Sequence, residues 1–245
     1  MQKYPAMTRT RWPEPPFASG VYAIVDGAAL GWTQNANSVN QLDNIVESAA
    51  SYAYAALAGG AVALQLRWKG EAIHAGLRLA CARAISKTLG GAIPFIVNDD
   101  VEVATHALAG LHLGQGDGDP LAARSIVGPS AVLGWSTHRL SEVDAAATLP
   151  VSYLGFGPVR WTHSKSNTEP VTGWAALADA CARSTQPVVA IGGLGRPDAA
   201  IARQAGAHAF AVIGAWLQAD GQPLSPQQAQ AAIHELALAW AQAPL

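Results

Sequence analysis

Charge is scarce in this chain. Only 13% of its 245 residues are Asp, Glu, Lys or Arg, and the formal net charge is −2. A basic footprint for nucleic acid or for an anionic membrane is therefore excluded. Cysteine is scarcer still. Cys81 and Cys181 lie far apart, without CxxC or Cys/His ligand spacing, which argues against a disulfide framework and predicts two free buried thiols in a reducing cytoplasm. No apolar run reaches the ~18 residues of a membrane span. Residues 1–19 carry Lys3, Arg9 and Arg11 but no apolar h-region, and Pro13, Pro15 and Pro16 break any helix. This stretch reads as an irregular arm rather than a signal peptide.

What remains is half hydrophobic, with mean hydropathy +0.16, as expected of a large core. Eight short apolar runs follow the arm: Val21–Val25, Ala61–Leu66, Ile93–Val97, Gly110–Leu113, Ala131–Leu133, Val151–Phe156, Pro187–Ile191 and Ala209–Ile213. They are continuous rather than alternating, as in strands covered on both faces. Between them Leu42–Leu57, Glu71–Leu89, Val101–Leu108 and Trp174–Arg183 repeat apolar residues at helical spacing. Ser225–Trp240 reads as a closing helix with Ser225-Pro226 at its start. Residues 27–41 read as a long polar loop. Eight strand–helix units predict an α/β protein, a (β/α)₈ TIM barrel formed as a single domain over 20–245. A doubly wound sheet is the alternative, but no GxGxxG follows the first strand.

In such a barrel the residues after each strand converge on one rim. Arg67, Lys69 and Lys165 supply cations there, and Gln65, Asn98, Ser136, Thr162 and Ser164 supply neutral hydrogen-bonding groups, a set suited to a polyphosphate. Phe95-Ile-Val-Asn-Asp-Asp100 ends a strand in two adjacent carboxylates. Asp99 and Asp117, from neighbouring strands, are hard oxygen ligands beside a phosphate-binding cluster, which calls for an intervening Mg²⁺ ion. Gly192, Gly193 and Gly214 follow the last two strands, where backbone N–H groups of barrels often meet a phosphate.

The chain resembles thiamine-phosphate synthase (thiamine-phosphate pyrophosphorylase), with the thiazole tautomerases as a related branch. The resemblance is carried in order by Gln65-Leu-Arg-Trp-Lys69, Phe95–Asp100, Gly110-Leu-His-Leu-Gly-Gln-Gly-Asp117, Gly134-Trp-Ser-Thr-His138, Gly155-Phe-Gly-Pro158 with Thr162-His-Ser-Lys165, and Val188–Leu194. It implies a transferase that joins a pyrimidine methyl diphosphate to a thiazole phosphate and releases pyrophosphate. It further implies that Gln65, Arg67, Lys69, Asn98 and Lys165 hold the diphosphate, Asp99 and Asp117 the Mg²⁺, and that Ser136 lies by the pyrimidine and leaving group. Thr162, Ser164, Gly173, Gly192 and Gly193 would meet the thiazole phosphate. Partners are then small phosphorylated molecules, with neither nucleic acid nor membrane, and a homo-oligomer is left open.

The chain departs from the family pattern at Trp68, Asp100, Gly116 and Gly214. Asp100 stands where a basic residue is usual. Two other readings stay open: an isomerase that moves a proton through His138, and a ligand-binding barrel without turnover. His112 reads as a satisfied interior residue.

Overall fold

A computed structural model describes residues 15–32, 39–69, 75–162 and 169–244. Eight parallel strands close on themselves in chain order. They are β1 (Gly20–Asp26), β2 (Ala63–Arg67), β3 (Phe95–Asn98), β4 (Gly110–Leu113), β5 (Leu133–Thr137), β6 (Tyr153–Phe156), β7 (Val188–Ala190) and β8 (Ala209–Val212). The expected (β/α)₈ barrel is what forms. Each strand is followed by a helix: α1 (Val39–Ala58), α2 (Ala75–Leu89), α3 (Val101–His106), α4 (Pro120–Val127), α5 (Leu140–Ala146), α6 (Gly173–Arg183), α7 (Ala199–Gln204) and α8 (Pro226–Gln242).

Two apolar clusters explain why the strand runs look continuous. Val21, Ala23, Val25, Leu64 and Leu66 belong to the cluster shared with the helices, whereas Tyr22, Ala63, Ile96, Tyr153, Val189 and Ala211 form a second one. Alternate side chains thus fill the inside of the cylinder, and both faces are dry. Small residues bring the helices close: Ala49, Ala53 and Ala56 of α1 are fully buried. The closing helix α8 starts as expected, with Ser225 and Gln228 forming a capping box and Pro226 in the first turn. It buries Trp240, which stacks on Phe210 of β8 at 5.2 Å.

Several boundaries differ from the sequence reading. Strand β5 begins where Ala131–Leu133 was expected to end and runs through Ser136 and Thr137, which are buried although polar. The expected 27–41 loop is partly something else. Leu30 and Trp32 are buried, α1 has already begun at Val39, and residues 33–38 lie outside the described residues. Helix α3 stops at His106 because Leu108 adopts a left-handed backbone (φ 54). Of the arm, residues 15–19 are described. Phe17 is buried under the barrel's N-terminal end, edge-on to Tyr22 and Tyr153 at 5.7 and 5.3 Å. Its carbonyl accepts a hydrogen bond from His208 Nε2 (2.7 Å).

Candidate active site

The two carboxylates that end β3 face different cations. Asp99 Oδ2 lies 3.0 Å from Lys69 Nζ, and Asp117 Oδ2 lies 4.0 Å from the same ammonium. Asp100 turns the other way. It accepts the N–H of Val103 as the N-cap of α3 and lies 3.7 Å from Arg78 Nε on α2. The negative charge expected to oppose an anion at the rim is therefore directed to a helix start and matched by Arg78.

Asp99 holds a left-handed backbone (φ 63), uncommon for a residue with a side chain. Its N–H is fixed by the carbonyl of His112 (2.8 Å), so the barrel frame aims its carboxylate. Burial raises its pKa above the ordinary aspartate value; Lys69 opposes that shift, and the Asp117 carboxylate within hydrogen-bonding reach reinforces it. Asp117 is also held by its own loop, accepting the N–H of Gly114 (3.1 Å). Among the described residues no three His, Cys, Asp or Glu side chains converge on a metal site. The donor set is thus two carboxylates around one cation. It suits Mg²⁺, which commonly takes one or two carboxylates and completes its shell with phosphate oxygens and water.

Arg67 ends β2 almost buried, and Asp26 at the end of β1 claims its Nη1. Asp26 is itself buried and accepts the N–H groups of Ala28 and Ala29 (3.0 and 3.1 Å). Arg67 Nε is buried without a hydrogen-bond partner among the described residues. Sequence reasoning missed Asp26; an aspartate ending an apolar strand was the available signal. Gln65 lies two residues deeper along β2 than Arg67. It is 3% exposed, and its Nε2 donates to Tyr22 Oη (3.1 Å).

Asn98 is partly buried at the end of β3, in register with His112. Ser136 is buried, with its Oγ 2.9 Å from His112 Nε2. Gln115, another missed residue, donates from Nε2 to the Ser136 carbonyl (2.6 Å) and ties the β4 loop to β5. Trp68 packs rather than lining the rim: it lies edge-on to Trp32 (5.3 Å) and fills the space a Cβ on Gly27 would occupy.

Gly192 and Gly193 have left-handed φ values of 92 and 67. A Cβ on the first would meet Pro158 at 2.4 Å, and on the second the Trp161 carbonyl at 2.3 Å. Glycine is required because the β6 and β7 loops press together there, joined by Val159 N–H to Ile191 O and Arg160 N–H to Gly192 O (2.8 and 3.1 Å). Thr162 and Gly173 flank this junction at half-buried positions, while Ser164 and Lys165 lie outside the described residues. Gly214 and Gly116 have open space around a Cβ. His138 is engaged locally. Its ring Nδ1 meets the Gly157 carbonyl, and its backbone N–H donates to Glu142 Oε2 (2.6 Å).

The profile of a family described as thiamine monophosphate synthase matches residues 39–216. The thiamine-phosphate synthase of Chlamydia caviae is 36% identical over 182 residues, covering 74% of this chain and 85% of that protein. That of Azorhizobium caulinodans is 40% identical over 164 residues, covering 65% and 76%. A thiamine biosynthesis bifunctional protein of Geobacter sulfurreducens is 44% identical over 170 residues, and the match spans only 33% of its length. Among solved structures, a thiamine phosphate pyrophosphorylase from Pyrococcus furiosus superposes with TM-score 0.71 at 26% identity, covering 91% of this chain and 96% of that one. A GGGPS from Thermoplasma volcanium, 12% identical with TM-score 0.65 over 94% of this chain and 95% of that one, shares the fold.

Proposed function

Because the chain belongs to the thiamine monophosphate synthase family, we propose that its rim joins a pyrimidine methyl diphosphate to a thiazole phosphate, forming thiamine phosphate and releasing pyrophosphate. The observation that carries this reading is Lys69 seated between Asp99 and Asp117. One cation already lies between the carboxylates, and a diphosphate gives that ammonium a stronger partner.

In this reading Asp99 and Asp117 would hold a Mg²⁺ ion, which would supply positive charge for the diphosphate end of the substrate. Lys69 exchanges the carboxylates for diphosphate oxygens. Arg67, kept in place by Asp26, adds its positive charge beside the same anion. Asn98 and Lys165 complete the grip. Ser136 donates a hydrogen bond beside the breaking C–O bond. Thr162, Ser164 and the backbone of Gly173, Gly192 and Gly193 meet the thiazole phosphate; the N–H groups on the β7 turn are suited to an anion. The C–O bond ionises, and the thiazole nitrogen traps the pyrimidine carbocation. That route needs no general base; it needs fixed charge and a dry wall.

Purified protein given both phosphorylated substrates and Mg²⁺ should yield thiamine phosphate, and EDTA should abolish the yield. A rate indifferent to EDTA, or no product at all, would sink the reading.

A further inference from the structure

We infer that a hydrogen-bond chain through the barrel interior fixes the direction in which Ser136 offers its proton, and that Tyr22, Tyr153 and His112 are positioning residues that act through it. The inference rests on the proposed role of Ser136 at the leaving group.

Five side chains from five strands take part. Gln65 Nε2 meets Tyr22 Oη at 3.1 Å, and Tyr22 Oη meets Tyr153 Oη at 2.7 Å. Tyr153 Oη meets His112 Nδ1 at 2.9 Å, and His112 Nε2 meets Ser136 Oγ at 2.9 Å. All five are buried, the most exposed being His112 at 8%, so water does not compete along the chain.

The Gln65 amide nitrogen only donates, so Tyr22 accepts there. A phenol oxygen can accept twice, so the direction beyond it is set by the Tyr22 proton: among the described residues Tyr153 Oη is the acceptor within its reach, and a buried hydroxyl left unbonded is unfavourable. The single Tyr153 proton then goes to His112 Nδ1. A neutral imidazole that accepts at Nδ1 carries its hydrogen on Nε2 and donates it to Ser136. The one Ser136 proton is then left for an acceptor other than His112, which in the proposed reading is the leaving group. Burial keeps both phenols un-ionised by raising their pKa values, and each link polarises the next. Run in reverse, Ser136 would donate into His112 and present only lone pairs to an anion.

The surroundings are built for this contact. His112 and Tyr153 stack at 5.5 Å. A Cβ on Gly134 would lie 2.2 Å from Tyr153 Cζ and 2.4 Å from His112 Nδ1, so Gly134 leaves the room in which the two rings meet.

The test reads the His112 tautomer by nitrogen-15 NMR in the resting protein, with the signal assigned through a His112→Asn variant. The expected result is a hydrogen on Nε2 and none on Nδ1, with that preference weakened in Tyr153→Phe, which keeps the ring and loses the hydroxyl. In the transferase assay Ser136→Ala should lower kcat on the order of a hundredfold, and Tyr153→Phe about tenfold. The double variant should be no worse than Ser136→Ala, because Tyr153 acts through Ser136. A hydrogen on Nδ1 in the native protein overturns the inference, as do losses that multiply in the double variant. Should Tyr153→Phe not fold, the native tautomer alone decides. The tautomer requires no turnover, so a protein that made no thiamine phosphate would refute the transferase reading while leaving the direction of the chain measured.

Discussion

Single atoms decide much of this rim. Gly134→Ala inserts a methyl where Tyr153 and His112 already touch, and overpacking of that kind costs about 1–3 kcal/mol. Urea unfolding should show that loss. Asp26→Asn keeps the shape and removes the charge that faces buried Arg67. Leaving a buried cation without its partner costs about 3 kcal/mol, so the urea midpoint should fall and kcat/KM should fall with it. An unchanged midpoint would mean that Asp26 does not hold Arg67. At this scale the sequence was legible in kind rather than in detail. Lys69, Asp99 and Asp117 do meet, because the strand ends dictate it. The partner of Arg67 was missed because Asp26 lies outside the quoted motifs, although a carboxylate closing an apolar strand was there to be read. The second carboxylate, Asp100, could be recognised as a helix cap but not as the partner of Arg78, which sits one helix back.

Elements tell a similar story. Apolar runs located all eight strands, since strands dry on both faces leave a continuous signal. Their ends were less legible: β5 carries Ser136 and Thr137 inside, where polarity argues for a loop and only the hydrogen bonds of the closed barrel explain the burial. The link between the N-terminal segment and β8 was likewise hidden, because nothing in the sequence pairs Phe17 with His208. Burial lowers the His208 pKa below its ordinary 6.5, although the Phe17 carbonyl opposes the shift. The folded protein therefore keeps His208 neutral at pH values where the unfolded chain already binds a proton. Stability should be full above about pH 6.5 and fall as the pH drops below it, by at most about 1.4 kcal/mol per pH unit. Urea midpoints at pH 7.5 and 5.5 measure the loss, which should shrink in His208→Gln.

For the whole molecule, the expected thiols are buried: Cys81 on α2 and Cys181 on α6. Burial pushes the Cys81 thiol up to about 12. Native protein should leave both cysteines unreacted with a thiol reagent at pH 8, and denatured protein should release two equivalents; fast reaction of the native state would show that the helical layer opens. No helix among the described residues is long and apolar enough to cross a membrane. The floor set by Phe17 against Tyr22 and Tyr153 carries a kinetic consequence. Because side chains fill the cylinder above that floor, chemistry is confined to the one rim where the strands end. Pyrophosphate released there still holds the place that the next diphosphate needs, so product should inhibit in competition with that substrate.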